Sequence, residues 1–162
     1  MQSLRGMRAS DDGFSLVETI VATGILAVVL VGLAHLMAVS VENNLAARRR
    51  TASVLLAEQK LEQLRGLTWA FDRAGSPVTD IGLASSPAQS LEQNTAGFVD
   101  FLDANGRQLS TGTTVPADAA YVRRWAIDPA GAQTLILQVL VTGAHAGGPS
   151  ISLVTAKSRK GQ

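Results

Sequence analysis

The longest apolar stretch of the chain lies near its N-terminus, between two acidic residues. Glu18 precedes the stretch and Glu42 follows it, and none of the 23 residues from 19 to 41 is Asp, Glu, Lys or Arg. A helix of that length spans about 35 Å at roughly 1.5 Å per residue, and the hydrocarbon core of a bilayer is about 30 Å thick. The pattern therefore predicts one transmembrane helix.

The helix is predicted to continue beyond the membrane, over 42–67. This region is rich in Ala, Leu, Glu, Gln, Lys and Arg, and it contains no Pro and no Gly before Gly66, which provides a stop signal. Its apolar residues fall into two groups, with Leu45, Ala52, Leu55 and Leu56 on one face and Val54, Leu61 and Leu64 elsewhere. Two apolar faces indicate two packing partners.

The C-terminal part of the chain has the alternating pattern of β-strands. Strands are predicted at 98–103, 107–110, 121–127, 133–142 and 150–157, and the first two are joined by an Asn105-Gly106 hairpin turn. Residues 68–96 have little periodicity and contain two Ser-Pro steps. We expect them to form a surface connection with at most a short helix or strand.

One predicted strand carries an uninterrupted apolar face, formed by Leu135, Leu137, Val139 and Val141. Such a face must be covered, and the only apolar helix outside the membrane is the one predicted over 42–67. The predicted fold class is therefore α+β. A long N-terminal helix, with a transmembrane half and an amphipathic half, packs on a small antiparallel sheet.

A short motif precedes the apolar stretch, with Gly13, Phe14 and Glu18 at fixed spacing around Ser-Leu-Val. This segment resembles the N-terminus of the type IV pilin and pseudopilin superfamily. The resemblance implies that prepilin peptidase cleaves between Gly13 and Phe14 and that the new N-terminus on Phe14 is methylated. It also implies that Glu18, the fifth residue of the mature chain, acts in filament assembly, and that the fold is pilin-like.

The spacing of this motif has a physical reason. Cleavage after Gly13 would create a cationic amine on Phe14, one helical turn from Glu18, in a medium where an unpaired charge costs several kcal/mol. In a filament, Glu18 could instead reach the amine of the neighbouring subunit and fix the axial register between the two. The simpler alternative is that Glu18 lies among the lipid headgroups at the end of an ordinary anchor.

The resemblance also implies an organisation, a location and partners. The predicted segments are a leader at 1–13, a transmembrane and filament-core helix at 14–41, an amphipathic helix at 42–67, a variable connection at 68–96 and a sheet domain at 97–162. The protein would cross the inner membrane once, with its C-terminal domain in the periplasm, before entering a pilus or secretion filament. Its partners would be prepilin peptidase, other pilin or pseudopilin subunits, the inner-membrane assembly platform and membrane lipid.

Two features favour a minor pilin or pseudopilin that starts or caps the filament. The chain contains no cysteine, so it lacks the C-terminal disulfide loop of many major pilins. In addition, residues 121–125 resemble a strand of V-type minor pilins and I-type pseudopilins. The sequence does not choose among a pilus, a type II secretion filament and a DNA-uptake system, or between Met1 and Met7 as the start.

Other interpretations of the N-terminus remain open. Ala38-Val39-Ser40 could serve as a signal-peptidase site, although the apolar stretch is long for a signal peptide. The segment could also be an unprocessed anchor for a periplasmic binding module that does not polymerise. Arg48, Arg49 and Arg50 lie on the side assigned to the periplasm, against the positive-inside rule, and a solvated helical face is the favoured interpretation for them.

The residues offer little for catalysis or cofactor binding. The two histidines, His35 and His145, lie far apart in the sequence, and no carboxylate pair, phosphate loop or metal-ligand cluster is evident. Residues 103–106 are similar to the start of a calcium loop but lack its closing acid. We therefore expect no enzymatic activity, no cofactor and no metal.

Five basic residues of the C-terminal part could form a patch that binds DNA. Its candidate members are Arg123, Arg124, Lys157, Arg159 and Lys160. Because aromatic residues are scarce and the net charge is only +1, a solvated surface is the favoured interpretation and nucleic acid is an unlikely partner.

Overall fold

The computed structural model describes residues 15–145 and 148–160. Its first element is the helix α1, Leu16–Gly66, of 51 residues. The predicted end of this helix at residue 67 is correct to within one residue, and Gly66 is its last helical position. Gly13 and Phe14, the predicted cleavage site, lie outside the described residues.

The chain divides into two units, at residues 1–44 and 45–162. In the first unit, every described residue is solvent-exposed, including the whole apolar part of α1. Among the residues that the structure describes, α1 is the one helix that is long and apolar enough to cross a membrane. The second unit contains residues 45–66 of α1, which we call the stem, together with all the strands.

The strands form two antiparallel sheets. The small sheet pairs β1 with β2, and the large sheet has the order β4-β3-β5-β6-β7. The bounds are β1 Trp69–Phe71, β2 Pro77–Thr79, β3 Val99–Leu102, β4 Gln108–Ser110, β5 Tyr121–Pro129, β6 Thr134–Gly143 and β7 Ser150–Ser158. All five predicted strands are confirmed, each with boundaries within two residues of those predicted.

The connection between the stem and β3 is more structured than predicted. Instead of at most one short element, it contains β1, β2 and a 3-10 turn at Ile81–Leu83. Leu83 and Ser90 are buried in the sheet domain. Ser86 is bonded to the backbone of Ile127 in β5, through its own N–H and its hydroxyl. This segment therefore hydrogen-bonds to β5 and contributes to the buried interior of the sheet domain. Its weak periodicity did not indicate this role.

The core lies between the stem and the large sheet. The predicted apolar face of β6, comprising Leu135, Leu137, Val139 and Val141, is buried. It shares one cluster with Leu56, Leu61 and Leu64 of the stem. The prediction of a helix covering an antiparallel sheet is therefore confirmed.

The predicted grouping of the apolar stem residues is wrong. Leu55 and Leu45 are 60% and 49% exposed, whereas Leu56 is buried together with Leu61 and Leu64. Leu55 and Leu56 differ by about 100° around the helix, so one of them can face the sheet while the other faces away. The buried stripe also contains Ser53 and Lys60, two polar residues that a hydrophobic pattern passes over.

A second, smaller core lies on the other side of the large sheet. It contains Val99 and Phe101 of β3, Val122 of β5, and Ala119. This cluster covers β3 and the start of β5 only. Val154 of β7, by contrast, is 60% exposed.

Candidate processing and assembly site

The predicted assembly residue, Glu18, lies close to the start of the described chain. Ser15 is the first described residue, and α1 begins at Leu16. The backbone N–H of Thr19 donates to the Ser15 carbonyl oxygen over 3.1 Å, and its hydroxyl donates to the same oxygen over 3.3 Å. Glu18 lies in the first turn of α1, where the helix dipole favours a negative charge. Within the described residues, its carboxylate has no hydrogen bond and no ion pair, so it can accept a partner from outside them.

Glu18 is surrounded by exposed apolar side chains. From Leu16 to Val41, every Leu, Ile, Val and Met of the first unit is between 40% and 76% exposed. Such an apolar surface must be covered by lipid or by other chains. Thr19 and Thr23 do not disturb it, since the Thr23 hydroxyl donates to the Thr19 carbonyl over 2.7 Å and remains satisfied within the helix.

Residues 8–34 match the family model described as the prokaryotic N-terminal methylation motif. The chain carries the type IV pilin and pseudopilin signature. The matched range includes Gly13, Phe14 and Glu18. No curated protein and no solved structure matches the chain.

The motif has several implications for this chain. It implies processing by prepilin peptidase and assembly with other pilins. The motif and the single long apolar helix fit a protein that crosses the inner membrane once. Type IV pilin-like proteins are structural rather than enzymatic.

The sheet domain contains a buried cluster of three charged residues, Lys60, Asp100 and Arg123, which we call the charge cluster. Arg123 donates from Nε and Nη2 to Oδ2 of Asp100, over 3.2 and 2.8 Å. The ammonium of Lys60 lies 3.3 Å from the same oxygen. All three side chains are at most 9% exposed. The cluster ties the stem to β3 and β5 in the core.

Two cations share one carboxylate in this cluster, and other groups compensate the excess. Arg123 donates from Nη1 to the Leu56 carbonyl of the stem over 3.0 Å. The Lys60 ammonium lies 3.5 Å from the centre of the Trp125 ring, whose π face attracts a cation. Burial lowers the pKa of Lys60 below 10.5, although the Asp100 carboxylate opposes that shift.

The favoured interpretation of the basic residues as a solvated surface is wrong for Arg123, which is 6% exposed. Arg123 is equally unavailable to DNA. Arg124 donates to Oδ1 of Asn94 over 3.0 and 2.8 Å, and Arg159 lies 3.5 Å above the Trp69 ring. The sequence contained one signal for Arg123: it alternates with Tyr121 and Trp125 on a strand face that is otherwise apolar.

Lys157 also has a structural role. Its ammonium donates to the carbonyl oxygens of Leu64, Arg65 and Leu67, over 3.4 Å to the first and 2.7 Å to the last. Leu64 and Arg65 lie in the last turn of α1, where carbonyls have no i+4 donor within the helix, and Leu67 directly follows the helix. A lysine from β7 therefore caps the stem.

The remaining candidates from the sequence have local roles or are exposed. Asp103 accepts from the N–H groups of Asn105 and Arg107 through Oδ1, over 2.8 Å each, and so stabilises the hairpin turn. No group of three or more His, Cys, Asp or Glu side chains that could hold a metal ion occurs in the described ranges. His35 and His145 are both exposed, in different units.

Proposed function

We propose that this protein is a minor pilin or pseudopilin, cleaved between Gly13 and Phe14, methylated on Phe14, and built into a type IV pilus or type II secretion filament. Its position is the initiating or tip complex, and it reaches the filament through the inner-membrane platform, with its sheet domain in the periplasm. One observation carries this proposal. Glu18 is the only Asp, Glu, Lys or Arg among residues 14–41, and within the described residues its carboxylate has no partner in a segment that is otherwise largely apolar and exposed.

The proposed role of Glu18 follows from the cost of an unpaired charge. While the subunit is in the membrane, the amine created on Phe14 lies about one helical turn away and can pair with the carboxylate. When helices pack together, Glu18 pairs instead with the amine of the next subunit. Subunits displaced along the axis would leave both charges unpaired in an apolar medium, so only one register is favourable.

The absence of cysteine supports a minor subunit or pseudopilin. Because no disulfide is available, noncovalent contacts hold the sheet domain against the stem. The charge cluster and the Lys157 cap supply such contacts at two levels of the stem. The burial of Arg123 and the hydrogen bonds of Lys157 to the end of the stem remove both residues from any DNA-binding patch, which makes the DNA-uptake alternative less favourable.

Glu18→Ala is the direct test of this proposal, in the full chain expressed with its own assembly machinery. We expect membrane insertion and cleavage to persist, because neither requires the carboxylate to find a second subunit. Incorporation into filaments should fall at least about tenfold, corresponding to roughly 1.4 kcal/mol or more of lost pairing. Filament fractions and the N-terminal mass of the membrane-extracted protein provide the two readouts.

Glu42→Ala is the matched control, since it removes a carboxylate just beyond the apolar stretch and should leave incorporation unchanged. Normal incorporation of the Glu18→Ala protein would refute the register mechanism. A mature chain that begins anywhere other than Phe14 would refute the processing step. A chain that retains residues 1–13 and never enters filaments would instead support a membrane-tethered binding module.

A further inference from the structure

The strand β7 forms one edge of the large sheet, and its backbone polarity can be derived. The Gly143 N–H donates to the Pro149 carbonyl over 3.0 Å, and the Arg159 N–H donates to the Gln133 carbonyl over 2.8 Å. Pro149 and Arg159, the odd-numbered residues that flank β7, are therefore both hydrogen-bonded towards β6. The β6–β7 register is continuous between them. Because ladder bonds alternate along an antiparallel pair, the even-numbered residues of β7 direct their N–H and C=O groups outward.

These outward groups form what we call the β7 edge. It comprises the backbone of Ser150, Ser152, Val154, Ala156 and Ser158, all exposed. Their N–H and C=O groups have no hydrogen-bond partner within residues 15–145 and 148–160. Proteins usually protect such an edge with an outward charge, a proline or a bulge. Between Ser150 and Ser158 there is no proline, and the only charged residue, Lys157, is turned towards the end of α1.

Just beyond the β7 edge, the outward backbone of the chain already pairs with another segment. Lys160, the next outward-facing residue after Ser158, donates its N–H to the Trp69 carbonyl over 3.0 Å. It forms a parallel bridge with Ala70 of β1. The pairing consists of this single bridge. The outward backbone groups from Ser150 to Ser158 lie in line with it and have no strand beside them within the described residues.

The sheet face next to this edge is also incompletely covered. Ile136 and Leu140 of β6 lie opposite Ala156 and Ser152 of β7, and both are half-buried. Val154 is 60% exposed on the same face. A strand added at the β7 edge would place alternate side chains beside Val154, so apolar residues at those positions would bury surface as the backbone pairs.

A second copy of this chain does not fit the edge in an assembly. Two β7 strands paired antiparallel are related by a twofold axis perpendicular to the sheet, and that axis reverses the direction of the stem. Copies inserted into one membrane in the same orientation have stems that run in the same direction. The opposite edge, β4, has only three residues and a register irregularity at its partner β3, so it cannot match the nine residues of β7.

We propose that the β7 edge binds an extended, uncharged segment of a different subunit, which adds a sixth strand to the large sheet. The guest strand carries apolar residues at the alternate positions that face Val154, and its backbone supplies the partners that the edge lacks. This inference rests on the proposed function, because the guest is a neighbour in the assembled complex.

Residue-resolved hydrogen exchange tests the pairing in the full chain. In detergent, where the chain is alone, the amides of Ser152, Val154 and Ala156 should exchange about 100-fold or more faster than those of Leu153 and Thr155 in the ladder. In purified assemblies that contain the subunit, exchange of the same even-numbered amides should slow to the rate of their odd-numbered neighbours. Protection with a period of two residues identifies strand addition rather than general shielding.

A charge placed on the edge provides the second readout. Val154→Lys should reduce incorporation into assemblies at least about tenfold, because edge lysines oppose strand addition. Val78→Lys is the matched control, since it adds the same charge at an exposed valine of β2, and it should leave incorporation unchanged.

The outcomes distinguish the two proposals. Incorporation with the even-numbered amides still exchanging rapidly would overturn the edge inference and leave the proposed function standing. A subunit absent from every assembly would overturn the proposed function and this inference with it. Dimers in detergent with the same amides protected would identify a second copy as the guest, and would also overturn the inference.

Discussion

At the scale of single residues, Glu18 and Lys60 both lie among apolar side chains but differ in whether they have a partner. Glu18 has no partner within the described residues, so any partner would come from outside them. Lys60 is surrounded by its partners: the Asp100 carboxylate at 3.3 Å and the Trp125 ring at 3.5 Å. An unpaired charge that must find a partner favours assembly, whereas a charge paired in the core orients the elements that supply its partners.

The lowered pKa of Lys60 predicts a pH dependence of stability. Burial disfavours the ammonium in the folded state, whereas the unfolded chain has the ordinary value of 10.5. As pH rises from the lowered pKa towards 10.5, the folded chain loses this proton first, so the unfolded chain binds more protons. The free energy of unfolding should therefore rise in this alkaline window.

Lys60→Met isolates this effect, because methionine keeps most of the buried volume and cannot titrate. The difference between the unfolding free energies of wild type and variant, measured by urea denaturation in detergent, should shift in favour of the wild type as pH increases. The Lys157 pKa is lowered as well, mainly by burial, but it contributes to both proteins and cancels. A pH-independent difference would show that Lys60 is not desolvated in the fold.

At the scale of elements, α1 ends where a residue distant in sequence holds it. Gly66 is a stop signal that the sequence contains, but three carbonyls at this end are bonded by Lys157 from β7. A positive charge near a helix C-terminus is favourable to the dipole, and hydrogen bonds from a charged donor are stronger than neutral ones. The last turn of the stem is therefore stabilised by the last strand.

Lys157→Met should lower the free energy of unfolding by about 1–2 kcal/mol, because the carbonyls lose their charged donor. Lys160→Met is the matched control: it removes a lysine at the same end of the domain whose ammonium makes no hydrogen bond and no ion pair within the described residues. Its effect should stay within about 0.5 kcal/mol. Thermal or urea denaturation measures both, and equal effects would contradict the capping role.

At the scale of the whole molecule, the apolar residues of the two units differ in exposure and therefore in their contribution to stability. Those of the first unit are exposed to whatever surrounds the chain, whereas Leu137 is completely buried between sheet and stem. Leu137→Ala should lower the free energy of unfolding of the second unit by about 2–5 kcal/mol. Val28→Ala, in the first unit and 73% exposed, should leave it unchanged within about 0.5 kcal/mol.

Urea denaturation followed by the fluorescence of Trp69 and Trp125 reports on the second unit alone, because both tryptophans lie there. A comparable loss from both variants would contradict this division of roles.

Much of this protein is determined by local sequence. Three features each lie within one short segment of the chain: the length of the apolar stretch, the alternation in each of the five strands, and the spacing of Gly13, Phe14 and Glu18. Consequently the helix, the strands and the family signature could all be predicted. The family comparison depends on the same short range, residues 8–34.

The tertiary structure decided what depends on residues far apart in the chain. Lys60 and Asp100 are 40 positions apart, and Arg123 is a further 23 beyond, so no local pattern indicated that they share one oxygen. The same holds for Leu55 and Leu56, whose exposure was fixed by the rotation of the stem against the sheet. Periodicity records that a residue alternates with others, but burial depends on which surface arrives opposite it, and only the folded chain brings those surfaces together.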